Sequence, residues 1–375
     1  MRLKDIGTIV TGNTPSKKNN EYYESNDILF IKPSDIEENY ITSLDNSEEY
    51  ISEKARKTAR ILPEGAVLVT CIGTIGKVGI LKKEASCNQQ INAIIPNDKV
   101  ISKYLAYLIQ SKRKILQAKA NAPIVPIINK TAFSEIEINI CDKDNQEKIV
   151  KQLDLLKAII DKRKEQIEEL QNIIKSQFVE MFQSGNYPKE ELGKLCDVRD
   201  GTHDSPKYME KSDYKFITSK NIINNGIDFS DVKYISKKDY DKFNTRSKVN
   251  YGDILMPMIG TIGKPMIVNI PDSEIDFAIK NVALIKFLDN SQVTNIYIKY
   301  LLDSDYFENA ILQNKRGGTQ KFIALSDIRK IQIEIPPIEL QNQFAEIVKQ
   351  IDKQKFESVM ELKKLQKNIF YKWGR

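Results

Sequence analysis

The chain has 375 residues, with 57 Lys and Arg against 51 Asp and Glu and 41% apolar residues, more than one compact core usually holds. No stretch nears the ~20 uninterrupted apolar residues of a membrane span, and MRLKDIGTIV lacks an apolar run ending at a small-residue cleavage site, so a cytoplasmic protein is expected. Cys71, Cys87, Cys141 and Cys196 form no C-x-x-C and His203 is the single histidine, which leaves too few ligands for structural zinc and no disulfide framework.

In chain order, residues 66–69 read as a strand running into the hexapeptide IGTIGK at Ile72 to Lys77, with residues 78–81 returning. A helix is predicted over residues 102–111 and a closing strand over 136–140. From 144 to 184 there is no Pro and no Gly. Apolar residues fall at Ile149, Leu153, Leu156, Ile160, Ile167, Leu170, Ile174 and Met181, a heptad seam broken only by Arg163 and Gln177. Asp144 with Glu147 suggests a capping box, and Gly185 with Pro188 a stop. The pattern then starts again. Strand 254–256 enters a second IGTIGK at Ile259 to Lys264, 266–268 returns, a helix covers 295–304 and a strand 331–335. From Pro336-Pro337 a second long helix carries Phe344, Val348, Ile351, Leu362, Leu365 and Ile369, with Lys355 and Ser358 off the seam.

The two hexapeptides are 259 − 72 = 187 residues apart, and their surroundings agree. LPEGAVLVTC faces VNYGDILMPM, NDILFIKPSDI faces SDYKFITSKNI, and YLAYLIQS faces YIKYLLDS. The shift stays between 186 and 195, far too long for a solenoid. The expected fold is therefore α/β of the α+β type: two similar domains, 1–143 and 186–337, with helices 144–185 and 338–375. Neither helix buries its stripe alone, so the two are expected to pair as an antiparallel coiled coil about a pseudo-twofold axis.

Catalytic signatures are missing. A P-loop needs four residues between its glycines and Ser or Thr after the lysine, whereas GTIGK has two and is followed by Val78 or Pro265. No G-x-G-x-x-G follows a strand, and one histidine gives triads and metal hydrolases nothing to build on. Glu168-Glu169 reads as a solvated helix face. Residues 1–143 hold 20 basic against 17 acidic residues and 186–337 hold 22 against 21, too balanced for a nonspecific nucleic-acid coat. A sequence reader needs only polar loop tips. Matching clusters occur in both units: Asn13 and Thr14 with Thr202 and His203; Lys32 and Ser34 with Ser219, Lys220 and Asn221; Thr74 and Lys77 with Thr261 and Lys264; Gln89 and Gln90 with Lys280 and Asn281. Arg316, Thr319 and Lys321 add a Gly-rich basic loop in the second unit alone, where the first has NAPIVP from Asn121. For any one cluster an ordinary polar loop suffices. Their recurrence in matching places raises the DNA reading.

The GDIL…IGTIGK segment, the phrase IPPIELQNQFAEIVKQID from Ile335 and the tandem domain-helix layout together resemble the specificity subunits of type I restriction-modification systems, over essentially the whole chain. The resemblance implies a non-catalytic subunit with two target-recognition domains, each contacting half of a split double-stranded DNA target. It also implies that the helices fix the gap and recruit two modification subunits, with restriction subunits joining them. No cofactor is expected on this chain; S-adenosylmethionine, ATP and Mg belong to the partners. Two alternatives are the equivalent subunit of a system cutting on both sides of its site, and a two-headed coiled-coil scaffold that binds protein. Lys77 and Lys264, identical in both copies, are expected to serve either hairpin structure or phosphate contact. The first unit's CDKDNQEK departs from the second's PPIELQNQ, though Gln146 and Gln341 still align.

Overall fold

The computed structural model describes residues 1–375 except 121–124, 184, 224–225, 260–262, 290, 308, 310–321 and 374–375; for 366–373 it describes only the backbone. The chain divides into two compact units, Met1–Lys164 with Val359–Arg375, and Glu165–Ser358.

In unit 1, β1 (Gly7–Thr11), β2 (Ile28–Ile31), β3 (Ile41–Leu44), β4 (Glu49–Ile51), β5 (Val67–Thr70), β6 (Val78–Leu81), β7 (Ala85–Cys87) and β8 (Ile91–Pro96) form two sheets. Their orders are β1-β8-β5-β6-β3 and β4-β2-β7. The runs ILFI of β2 and VLVT of β5 are buried at every residue, as strands covered on both faces must be. Helices α1 (Ser102–Ser111), α2 (Arg113–Ala118) and α3 (Lys130–Ser134) follow. Tyr104, Leu105, Leu108 and Ile109 of α1 join Val67, Val69 and Ile94 in one core.

The first long helix, α4 (Lys143–Phe182), runs from unit 1 into unit 2. Unit 2 then repeats the plan. It contains β9 (Lys189–Glu191), α5 (Leu192–Leu195), β10 (Cys196–Asp200), β11 (Tyr214–Thr218), β12 (Ile222–Ile223), β13 (Gly226–Ile227), β14 (Lys233–Ile235), α6 (Lys237–Ser247) and β15 (Ile254–Pro257). After these come β16 (Met266–Ile267), β17 (Phe277–Lys280), β18 (Val282–Phe287), α7 (Asn295–Leu302), α8 (Leu325–Arg329), β19 (Gln332–Glu334) and the second long helix, α9 (Ile338–Trp373), which belongs to unit 2 up to Ser358 and to unit 1 from Val359. Its principal sheets, β10-β18-β15-β16 and β14-β11-β17, reproduce β1-β8-β5-β6 and β4-β2-β7 strand for strand. Both hexapeptides close antiparallel hairpins, with Val67 opposite Ile80 and Ile254 opposite Ile267. Gly73, Gly76 and Gly263 take φ of +74°, +84° and +84°, so the repeated sequence is first of all a backbone requirement.

Three expectations are corrected. The predicted strand 136–140 reduces to a bridge between Arg2 and Glu137, because its partner turns into a 3-10 helix at Leu3–Asp5, whereas β19 pairs with β9 along its three residues. The cap of α4 is Asp142 rather than Asp144: its carboxylate accepts from the Asn145 N–H at 2.9 Å, which holds Asp142 below the usual carboxylate range. The buried stripe of α4 also drifts off the strict heptad. Phe178 and Phe182, absent from the expected seam, are 2% exposed, while Met181 is only half-buried.

Within unit 2, Phe178 and Phe182 meet Phe344 of α9 with ring centroids 5.5 and 5.4 Å apart, and Val348 and Ile351 continue that core. Within unit 1, the off-seam Arg163 pairs with Glu361 at 2.9 Å.

Candidate nucleic-acid interface

In unit 1 four loops meet at one end of the sheets. The chain leaves β1 at Gly12, whose N–H donates to Ile91 O at 3.0 Å; Asn88 N–H donates to Ile31 O at 3.1 Å, and Cys71 N–H to Gln90 O at 2.8 Å. A Cβ on Gly12 would lie 2.2 Å from Asn88 O, so only glycine lets these loops close together. Lys77 adds the last tie, its ammonium donating to Pro33 O at 2.8 Å. Of the predicted residues here, Thr14 Oγ1 donates to Gln89 Oε1 at 2.7 Å, Ser34 Oγ to Glu48 at 3.2 Å, and Gln90 Oε1 accepts from Asn88 at 3.0 Å. Lys32 pairs with Glu49. Thr74 is exposed at the hairpin tip, and its carbonyl accepts from Thr70 Oγ1. Asn13 instead serves the scaffold: its amide donates to Thr58 O at 2.8 Å and accepts from Arg60 N–H at 2.9 Å.

Unit 2 assembles the same surface with other side chains. Gly201 N–H donates to Val282 O at 2.9 Å, Thr202 N–H to Ile279 O at 3.0 Å and Ser219 Oγ to Asn281 O at 2.9 Å. A Cβ on Gly201 would stand 2.3 Å from Ile279 O, the counterpart of the Gly12 contact. His203 is held at both ring nitrogens, Nδ1 by Asn281 Oδ1 at 2.9 Å and Nε2 by Asp200 Oδ2 at 2.8 Å. The Ser205 hydroxyl accepts from the Lys280 ammonium at 2.6 Å. Asn221 points inward: it is 8% exposed, and its amide donates to the Asp228 and Asp231 carbonyls at 3.2 Å. Lys220 and Lys264 are exposed and have no ion-pair or hydrogen-bond partner among the described residues. Lys264 sits at φ +56°. Thr261, Arg316, Thr319 and Lys321 lie outside the described residues.

The sequence reading missed Asp200, Arg246 and Asn92. Asp200, 5% exposed, takes an ion pair from Arg246 beside His203. Asn92, 2% exposed, accepts from Thr11 Oγ1 at 2.6 Å and donates to Cys71 Sγ. Asn92 carried a signal, a polar residue inside the apolar run INAII, whereas nothing in CDVRD or FNTRSK singles out Asp200 or Arg246. Burial pushes the Cys71, Cys87 and Cys196 thiols up to about 12, so none of the three is a ready nucleophile. No cluster of three metal-ligating side chains occurs among the described residues. A cavity of about 460 Å³ lies in unit 2, lined by Tyr187, Pro188, Gln292 and Pro336 to Ile338 among others. It is beyond the opposite end of β18 from the loops. β8 and β18, six residues or about 20 Å long, thus run from polar loops at their starts to the root of a long helix past their ends.

Two α/β units of one strand plan, each with a hydrogen-bonded loop surface at one end of its sheets, define a duplicated protein. A profile of the type I restriction modification DNA specificity domain matches residues 1–172 and 186–367, and the chain belongs to that family, the specificity subunits of type I restriction-modification systems. It is 28% identical to the MjaIX specificity subunit of Methanocaldococcus jannaschii, over 97% of this chain and 89% of that one. Over 40% of this chain it is 32% identical to the EcoR124I/EcoR124II specificity subunit of Escherichia coli, covering 39% of that protein. The fold is similar to a solved structure from work on complex assembly in the type I R-M system, at TM-score 0.63 and 17% identity over 100% of this chain and 97% of the other. It is also similar to the S subunit from M. genitalium, at 0.51 and 14% over 100% and 94%. No helix among the described residues is long and apolar enough to cross a membrane.

Proposed function

We propose that each head reads one half of a bipartite double-stranded DNA target, and that α4 and α9 fix the gap and dock two modification subunits. The chain carries no catalysis; S-adenosylmethionine, ATP and Mg act on the modification and restriction partners, in the cytoplasm. One observation carries the reading: three matching loops, those at Gly12 and Gly201, those after β2 and β11, and those before β8 and β18, gather at the same sheet end in each head yet offer different side chains. Equal scaffolds with unequal tips suit two different half-sites. Leu155 of α4 and Phe356 of α9, 64% and 65% exposed, are large apolar groups that suit docking. The test is co-expression with a cognate modification subunit and mapping of methylated adenines. A bipartite motif, one half of which changes when residues 186–337 are exchanged, is expected. Methylation unaffected by the exchange refutes the proposal.

A further inference from the structure

Two glutamines occupy equivalent places in the units and make the same bonds. Gln146 is the fourth residue of α4 and Gln341 the fourth of α9, and both have 0% exposure. Gln146 Oε1 accepts from the Ile101 N–H at 2.9 Å, and its amide nitrogen donates to Lys99 O at 2.9 Å and Cys141 O at 2.7 Å. Gln341 Oε1 accepts from the Thr294 N–H at 2.8 Å, and its nitrogen donates to Gln292 O and Pro336 O, each at 2.9 Å. Ile101 and Thr294 cap α1 and α7. Each amide therefore ties the root of a long helix to the first turn of a helix belonging to the head. All six partners are backbone groups, which is why the surrounding sequences can differ while the bonds do not.

We infer that Gln146 and Gln341 are positioning residues that set the angle between each head and its long helix, and through it the separation at which two half-sites are read. The inference rests on the proposed function and names the joint it requires. Apolar stripes hold helices together but tolerate small rolls and slides, whereas a buried, fully satisfied amide fixes direction. Leverage makes direction matter. Over the 40 residues of α4, about 60 Å, a change of roughly 3° at the root moves the far end by about 3.4 Å, one base step. Asparagine is one methylene short, and glutamate and methionine lack the two donors.

The experiment uses the chain assembled with its modification subunit and measures methyl transfer to duplexes whose half-sites are separated by the native gap or by one base pair more or less. Gln146→Met and Gln341→Met keep the volume and remove the bonds. At least a fivefold loss of preference for the native gap is expected, with discrimination against a changed half-site letter intact. Leu153→Ala, a core truncation in α4 that leaves the amides alone, should keep the gap preference. Wild-type gap preference in the methionine variants, or equal relaxation in Leu153→Ala, overturns the inference. If a methionine variant does not assemble, Gln341→Asn carries the same two outcomes. Failure of the unaltered complex to methylate any two-part site removes the function on which the inference rests, and is read separately.

Discussion

Lys77 and Lys264 end identical hexapeptides, yet the structure separates their expected roles. Lys77 is half-buried and spends its ammonium on Pro33 O; Lys264 is exposed and unpaired among the described residues. If Lys264 meets a phosphate, replacing it with methionine removes one released counterion, which lowers the slope of log K against log salt by about 0.9. Between 50 and 200 mM salt that contact accounts for a factor of about 4^0.9, or roughly 3.5. Lys264→Met should therefore bind more weakly at low salt, with an affinity that falls about 3.5-fold less across the range. Lys77→Met should instead lose a tie between two loops, weakening the first half-site by about 1 kcal/mol with the slope unchanged. Fluorescence anisotropy of the assembled complex on its target duplex at five or six salt concentrations measures both. Equal slopes in wild type and Lys264→Met, or a slope lost in Lys77→Met, would refute the reasoning.

Gly201→Ala forces its Cβ against Ile279 O and should cost about 1–3 kcal/mol, abolishing methylation that depends on the second half-site; denaturant unfolding gives the stability. Gly263→Ala meets nothing within 4 Å but must hold φ +84°, so a loss of about 1–2 kcal/mol is expected. Phe344→Ala empties a pocket shared with Phe178, Phe182 and Tyr300 and should cost about 3–5 kcal/mol, seen as lost amide protection around the N-terminal half of α9. Lys299 is 6% exposed beside Asp303, and burial lowers its pKa. Its unfolded form thus binds more protons between the lowered value and the usual one, so its contribution to stability rises with pH there. Lys299→Met should stabilise unit 2 by about 1 kcal/mol at pH 7, an advantage that shrinks towards pH 10; unfolding at both pH values checks the sign.

The duplication, the hairpins and both long helices were legible because each rests on local signals: repeated glycines at positive φ, alternating apolar strands and a long Pro-free apolar stripe. What misled the reading depends on neighbours distant in the chain. Asp142 rather than Asp144 caps α4 because the turn geometry puts its carboxylate on the Asn145 N–H. Phe178 replaces its neighbour Gln177 at the seam because Tyr297 and Phe344 wait on that side. The polar clusters were found, but not their direction. Asn13 and Asn221 turn to carbonyls in their own scaffold, and a loop sequence carries no mark of which way an amide will face.

Gln90 stands just before β8 while Lys99 and Ile101 stand just past it, and β18 separates Asn281 from Gln292 and Thr294 in the same way. If these tips read the half-sites as proposed, substitutions there are insulated from the glutamine joint by the length of a strand. Such a layout would let selection rewrite the tips one at a time and leave the joint as it is.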